Sequence, residues 1–126
     1  MLVEFILYVR DQEHSCAVYS TLLGQEPTLH VPGMTEFDLG GCKLGLMPGS
    51  GIARIITPVL KHPENAAGVP RCELYLLVDD LQAALHRAGS AALQIVDPAT
   101  ERDWGHRVAY FADPDGHVIA LATPIP

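Results

Sequence analysis

Glu4-Phe5-Ile6-Leu7-Tyr8-Val9-Arg10-Asp11 lines up with Glu73-Leu74-Tyr75-Leu76-Leu77-Val78-Asp79-Asp80, each a glutamate, an apolar run and a closing aspartate. A segment written twice restricts the chain to folds built from two similar units, so the repeat comes before any local reading. Each copy leads into a helix. Between Gln12 and Leu23, Cys16, Tyr19, Leu22 and Leu23 recur at spacings of three and four, with Asp11 as N-cap and Gly24 as the left-handed stop. Leu81, Ala84, Leu85 and Ala88 repeat that spacing after Asp80, and Gly89 is expected to end the second helix.

Strand candidates come next in both copies. Thr35 to Leu39 and Cys42 to Met47 flank Gly40-Gly41, a hairpin signal. Arg107 to Ala112 and His117 to Ala122 flank Asp113-Pro114-Asp115-Gly116, where proline presets one turn dihedral and glycine accepts a positive one. The expectation is one domain over 1–126, with modules at 1–47 and 71–126. The proline- and glycine-rich stretch 48–70 would be their linker, and a candidate flap.

Side chains alternate along a strand, which gives each first strand two distinct faces. Val3, Phe5, Leu7 and Val9 form an apolar face expected to cover a helix, as do Leu74, Leu76 and Val78. The other faces carry Glu4, Ile6 and Tyr8 in one copy and Glu73, Tyr75 and Leu77 in the other. These mixed faces are the ones expected to meet a ligand.

Composition narrows the function classes. The chain is 48% hydrophobic and 18% charged, which excludes disorder driven by low hydrophobicity. A net charge of −7 with scattered Lys and Arg repels a phosphate backbone, so nucleic acid is a poor partner and a neutral or cationic molecule a better one. Cys16, Cys42 and Cys72 have neither pairing nor zinc-ligand spacing. They read as thiols in a reducing compartment. No secretory leader or membrane span is visible, so a cytoplasmic protein without a membrane partner is expected.

The first-strand and helix segments, together with Trp104-Gly105-His106-Arg107 ahead of Asp113-Pro114-Asp115-Gly116, resemble the vicinal-oxygen-chelate superfamily of glyoxalase I, bleomycin-resistance proteins and extradiol dioxygenases. The resemblance covers nearly the whole chain and implies an α+β fold of two βαβββ modules forming a curved mixed sheet around a cavity, completed within one chain or between two, and a homodimer is expected. In metal-dependent members it places ligands early in each first strand, here Glu4 and Glu73, and glutamates in each last strand, here Gly45 and Ala120. Glycine and alanine carry no donor atoms, so neither a metal nor another cofactor is expected.

The candidate ligand-binding residues are Glu4, Tyr8, Glu73, Tyr75, Trp104, His106 and Arg107. The glutamates suit a cation and the tyrosines a planar ring. Trp104 packs either in a hairpin or in a pocket. His106 shares its face, while Arg107 alternates to the other face, where an ion pair with a nearby aspartate is as reasonable as ligand contact. Asp113 and Asp115 read as turn formers. The leading expectation is a metal-independent protein sequestering an aromatic or cationic small molecule, as in antibiotic resistance. The alternative is a lyase, isomerase or dioxygenase of the glyoxalase type with an atypical metal site.

Overall fold

A computed structural model describes all 126 residues, Met1 to Pro126. In order the elements are β1 (Glu4–Val9), α1 (Gln12–Leu23), β2 (Leu29–Val31), β3 (Met34–Asp38), β4 (Lys43–Pro48) and α2 (Gly49–Ile56). The second half continues with β5 (Glu73–Leu77), α3 (Leu81–Ser90), β6 (Gln94–Glu101), β7 (His106–Ala112) and β8 (Val118–Pro124). The repeat in the sequence is a repeat in topology. One four-stranded sheet runs β1-β4-β3-β2 and the other β5-β8-β7-β6, each with its first strand parallel to its last and the remaining pairs antiparallel. The fold is α+β, made of two βαβββ modules. Compact unit 1 comprises Met1–Ser20 and Gly24–Ala67, and unit 2 comprises Thr21–Leu23 and Gly68–Pro126.

In unit 1, Leu7, Val9, Thr35, Phe37, Leu44 and Leu46 are buried on one face of the sheet, and Ser15, Cys16, Val18 and Tyr19 are buried on α1. A helix stripe and a sheet face that are both buried must cover each other. Each large apolar side chain removed from water there contributes about 1.5–3 kcal/mol. Asp11 caps α1 as its position dictates, its Oδ1 accepting from the N–H of His14 at 3.0 Å, and Gly24 comes after the helix at φ 65°. The apolar face of β1 is covered only in part. Leu7 and Val9 are buried, but Val3 and Phe5 lie 44% and 67% exposed, because the strand begins before the helix covers it.

In unit 2, Asp80 caps α3 through Ala83 N–H at 3.0 Å, and Leu81, Ala84 and Ala88 are buried with Ala109, Phe111, Ile119 and Leu121 of the sheet. Gly89 does not stop this helix. It lies inside α3, and the left-handed residue is Ala92 at φ 56°, tolerated because alanine has the smallest side chain that pays this penalty, about 1 kcal/mol.

Segment 48–70, expected as a linker, carries structure of its own. Gly49 and Ala53 give α2 a buried, close-packing side, and the helix stops at Thr57 because the residue before Pro58 is pushed to extended geometry, ψ 147°. A single 3-10 turn, Pro63–Ala66, comes next.

Candidate functional site

The face of the unit 2 sheet opposite α3 collects most of the sequence candidates. Register places Tyr75, Ala120 and Tyr110 in one row across β5, β8 and β7. Both phenol rings pack against Ala120, which lies between them, and against Val108 and Ala122 of the next row, all three fully buried. Beside this apolar floor, Trp104 Nε1 donates to Tyr75 Oη at 2.9 Å, and Tyr75 Oη lies 2.6 Å from His106 Nδ1. The Tyr75 and His106 rings are 5.7 Å apart and tilted by 38°. Trp104 is about half exposed at one end of the face, and Glu73 is exposed toward the other end, where Val118 and Ala112 lie in its row.

A guanidinium shares the face, but it is not that of Arg107. Arg102 stands 5.1 Å from the centre of the Tyr110 ring, its Nη2 donating to Asp97 Oδ2 at 2.9 Å and to the carbonyl of Val108 at 3.0 Å. Burial raises the Tyr110 phenol above its ordinary pKa, the nearby Glu73 carboxylate adds to this, and Arg102 opposes it. Tyr110 therefore stays a neutral hydroxyl at physiological pH. Arg107 is exposed on the opposite face, across from Glu101, and stands outside this cluster. The arginine–aspartate ion pair considered for Arg107 is made by Arg102, which precedes β7 where no strand pattern orients it.

Glu4 and Tyr8 lie in unit 1, on the face of β1 that also carries Ile6. Glu36 joins them from β3, opposite Gly45 in register. Burial raises the pKa of Glu4, a hydrogen bond and charge repulsion from Glu36 raise it further, and Lys43 opposes this. Lys43 Nζ lies 3.7 Å from Glu36 Oε1. Glu4 thus holds its proton to higher pH than a free carboxyl, and two carboxyl groups share one site. Beside them a cleft of about 370 Å3 is lined by Glu4, Asp38, Lys43 and the Gly40-Gly41 turn.

These surroundings bear on the superfamily's metal positions. A Cβ on Gly45 would stand 2.6 Å from Glu4 Oε2, so Glu4 fills the place from which a longer side chain would extend. Ala120 is a wholly buried part of the apolar floor. Two of four positions offer no donor, and at a third the Glu4 carboxyl is already engaged by Glu36. The residues do not fit the superfamily's metal.

A different donor group lies in the β7–β8 turn. Single ligand atoms of Asp113, Asp115 and His117 all fall within 4.8 Å of one another. By sequence the two aspartates have only a turn role, and indeed Asp113 is the latch of this hairpin. Its Oδ1 accepts from the N–H groups of Asp115 at 2.9 Å and His117 at 2.8 Å, and its Oδ2 lies 2.7 Å from His117 Nδ1. Asp113 and His117 are both buried. Burial raises the pKa of the neighbouring Cys72 thiol, with repulsion from Asp113 next, so the thiol stays protonated.

The sequence profile of the Glyoxalase-like domain matches residues 2–125. No curated protein matches the chain. Among solved structures, a glyoxalase-related enzyme from Fulvimarina pelagi superposes with a TM-score of 0.80 at 21% identity, over 98% of this chain and 87% of that one. A glyoxalase/bleomycin resistance protein/dioxygenase family enzyme from Burkholderia phytofirmans PsJN gives 0.81 at 16% identity, over 97% of each chain. A protein of unknown function from Agrobacterium tumefaciens strain C58 gives 0.81 at 25% identity, over 99% and 94%. No helix is long and apolar enough to cross a membrane. With nearly its whole length matched and its repeat folded as two βαβββ modules, the chain belongs to the glyoxalase-like family of the vicinal-oxygen-chelate superfamily.

Proposed function

We propose that this protein binds and sequesters a planar aromatic or cationic small molecule without a metal, in the manner of the superfamily's bleomycin-resistance branch. The observation that carries this reading is the unit 2 sheet face, where two tyrosines cover an apolar floor beside a half-exposed tryptophan and an exposed glutamate. Aromatic rings offer flat contact area to a planar ligand, and the carboxylate offers a charge-assisted partner to its cationic end. Glu4 is less available to a cation, since burial and Glu36 raise its pKa and Glu36 already hydrogen-bonds it.

Titration of a panel of planar compounds, followed by Trp104 fluorescence, tests this reading. Planar cations are expected to bind saturably, and Glu73→Gln to weaken them roughly tenfold while neutral analogues change little. Equal binding of charged and neutral members by parent and variant would contradict it.

The second reading, a lyase, isomerase or dioxygenase, draws its support from the Asp113, Asp115 and His117 donor group. A cation there would have to replace the bonds by which Asp113 holds the turn.

We further infer that two copies associate. β1 is an edge strand, and Val3 just before it and Phe5, Ile6 and Tyr8 within it are all exposed by 36% or more, an apolar edge that natural proteins normally cover. Light scattering is expected to give twice the 13.6 kDa chain mass, and a monomer at all concentrations would contradict it. The three free cysteines support a reducing, cytoplasmic setting.

A further inference from the structure

The Trp104, Tyr75 and His106 chain fixes more than the positions of three rings. An indole N–H can only donate, so Tyr75 Oη is the acceptor in its 2.9 Å bond with Trp104. The hydroxyl then has one proton of its own, and His106 Nδ1 at 2.6 Å is the acceptor within reach. Were Nδ1 protonated instead, Tyr75 Oη would accept twice and its proton would face away from both partners. A neutral imidazole that accepts at Nδ1 carries its proton on Nε2. His106 is partly exposed, and its Nε2 is not among the buried polar atoms left without a partner.

We propose that Tyr75 locks His106 as its Nε2–H tautomer, so that the face presents a fixed hydrogen-bond donor and selects planar ligands that carry an acceptor such as a carbonyl or ring nitrogen. The selection rests on the small-molecule reading above; the tautomer does not. The ligand class is then doubly specified. A cationic end meets Glu73, an acceptor meets His106, and the tyrosine rings with their apolar floor hold the plane between them. Trp104 acts at one remove, as a positioning residue that orients the Tyr75 hydroxyl. An acceptor left facing an unmatched site, or a donor left unpaired by the ligand, loses the bond and keeps the desolvation cost, which is why such a donor discriminates.

The test has two readouts on the full-length protein. Nitrogen-15 spectra of the neutral histidine side chains should show His106 Nδ1 unprotonated and Nε2 protonated as a single tautomer. Tyr75→Phe, which keeps the ring packing, should release His106 to a mixture of tautomers. A parent His106 protonated at Nδ1 would overturn the lock. Next, paired planar cations differing only by a carbonyl in place of a methylene should bind the parent with roughly tenfold preference for the carbonyl compound, and Tyr75→Phe should lose most of that preference. Equal binding of the pair by the parent overturns the selection alone. Binding of neither compound overturns the small-molecule reading and the selection with it, while the spectra still decide the tautomer.

Discussion

Replacing Gly116 with alanine is expected to lower the stability of this protein by on the order of 3 kcal/mol, or roughly 10 °C in melting temperature. Two costs add at this position. Its φ of 89° lies where side chains are strained, and a Cβ would stand 2.8 Å from the Cα and 2.9 Å from the carbonyl carbon of Gly68. Backbone cannot swing aside as a side chain can, so the 3.3 Å bond from Gly68 N–H to the Asp115 carbonyl would be pulled apart. Gly105 is the natural control: it has the same φ of 89° and nothing within 4 Å of its would-be Cβ. Gly105→Ala should therefore cost only the strain, about 1 kcal/mol. Thermal melts of the two variants side by side check this, and equal losses would show that the approach of Gly68 does not matter.

Asp113→Ala is expected to cost about as much, by a different route. The substitution strips acceptors from two backbone N–H groups and from His117 Nδ1, with Asp113 and His117 both buried. An unsatisfied buried donor costs about 1–3 kcal/mol, so a total on the order of 3 kcal/mol results if water reaches some of them. Asp113→Asn keeps one oxygen for the backbone donors and should lose about 1 kcal/mol. Denaturant melts with and without chelator separate the latch from a metal ligand. A latch predicts the same loss in both. If the alanine variant and chelator-treated parent melted alike, Asp113 would owe its effect to a bound cation.

Both residues belong to the Asp-Pro-Asp-Gly turn that is plain in the sequence, and much of the rest of the fold is equally plain. β1, α1 and α3 announce themselves because each buries one side and therefore carries a period, whereas β5 is legible only as the second copy of β1, its apolar face Leu74, Leu76 and Val78 being half-buried. β2 and β6 carry no such signal. β2 is three exposed residues, and β6 is an edge strand with Pro98 and two register shifts, exposed at nearly every position. α2 is hidden by its composition, since the glycines that let it pack closely are also turn residues.

The candidate site divides in the same way. Strand alternation alone puts Tyr75 on the face of Glu73, and His106 on that of Tyr110. That Trp104, Tyr75 and His106 are hydrogen-bonded in series, on two different strands and the turn before one of them, depends on register, which one strand cannot supply. Glu36 escapes a sequence reading for the same reason: only the pairing of β3 with β4 sets it opposite Gly45 and beside Glu4. Arg102 lies between strands, where no periodicity indicates a direction.

On the proposed reading, binding belongs to the aromatic and acidic sheet face and needs no metal. Its most direct test is the Trp104 titration with planar cations on protein stripped by chelator, repeated after adding back zinc, manganese, nickel or iron(II). One saturable curve is expected, unchanged by stripping and by every metal. Binding that vanishes with chelation and returns with one of these ions would contradict it.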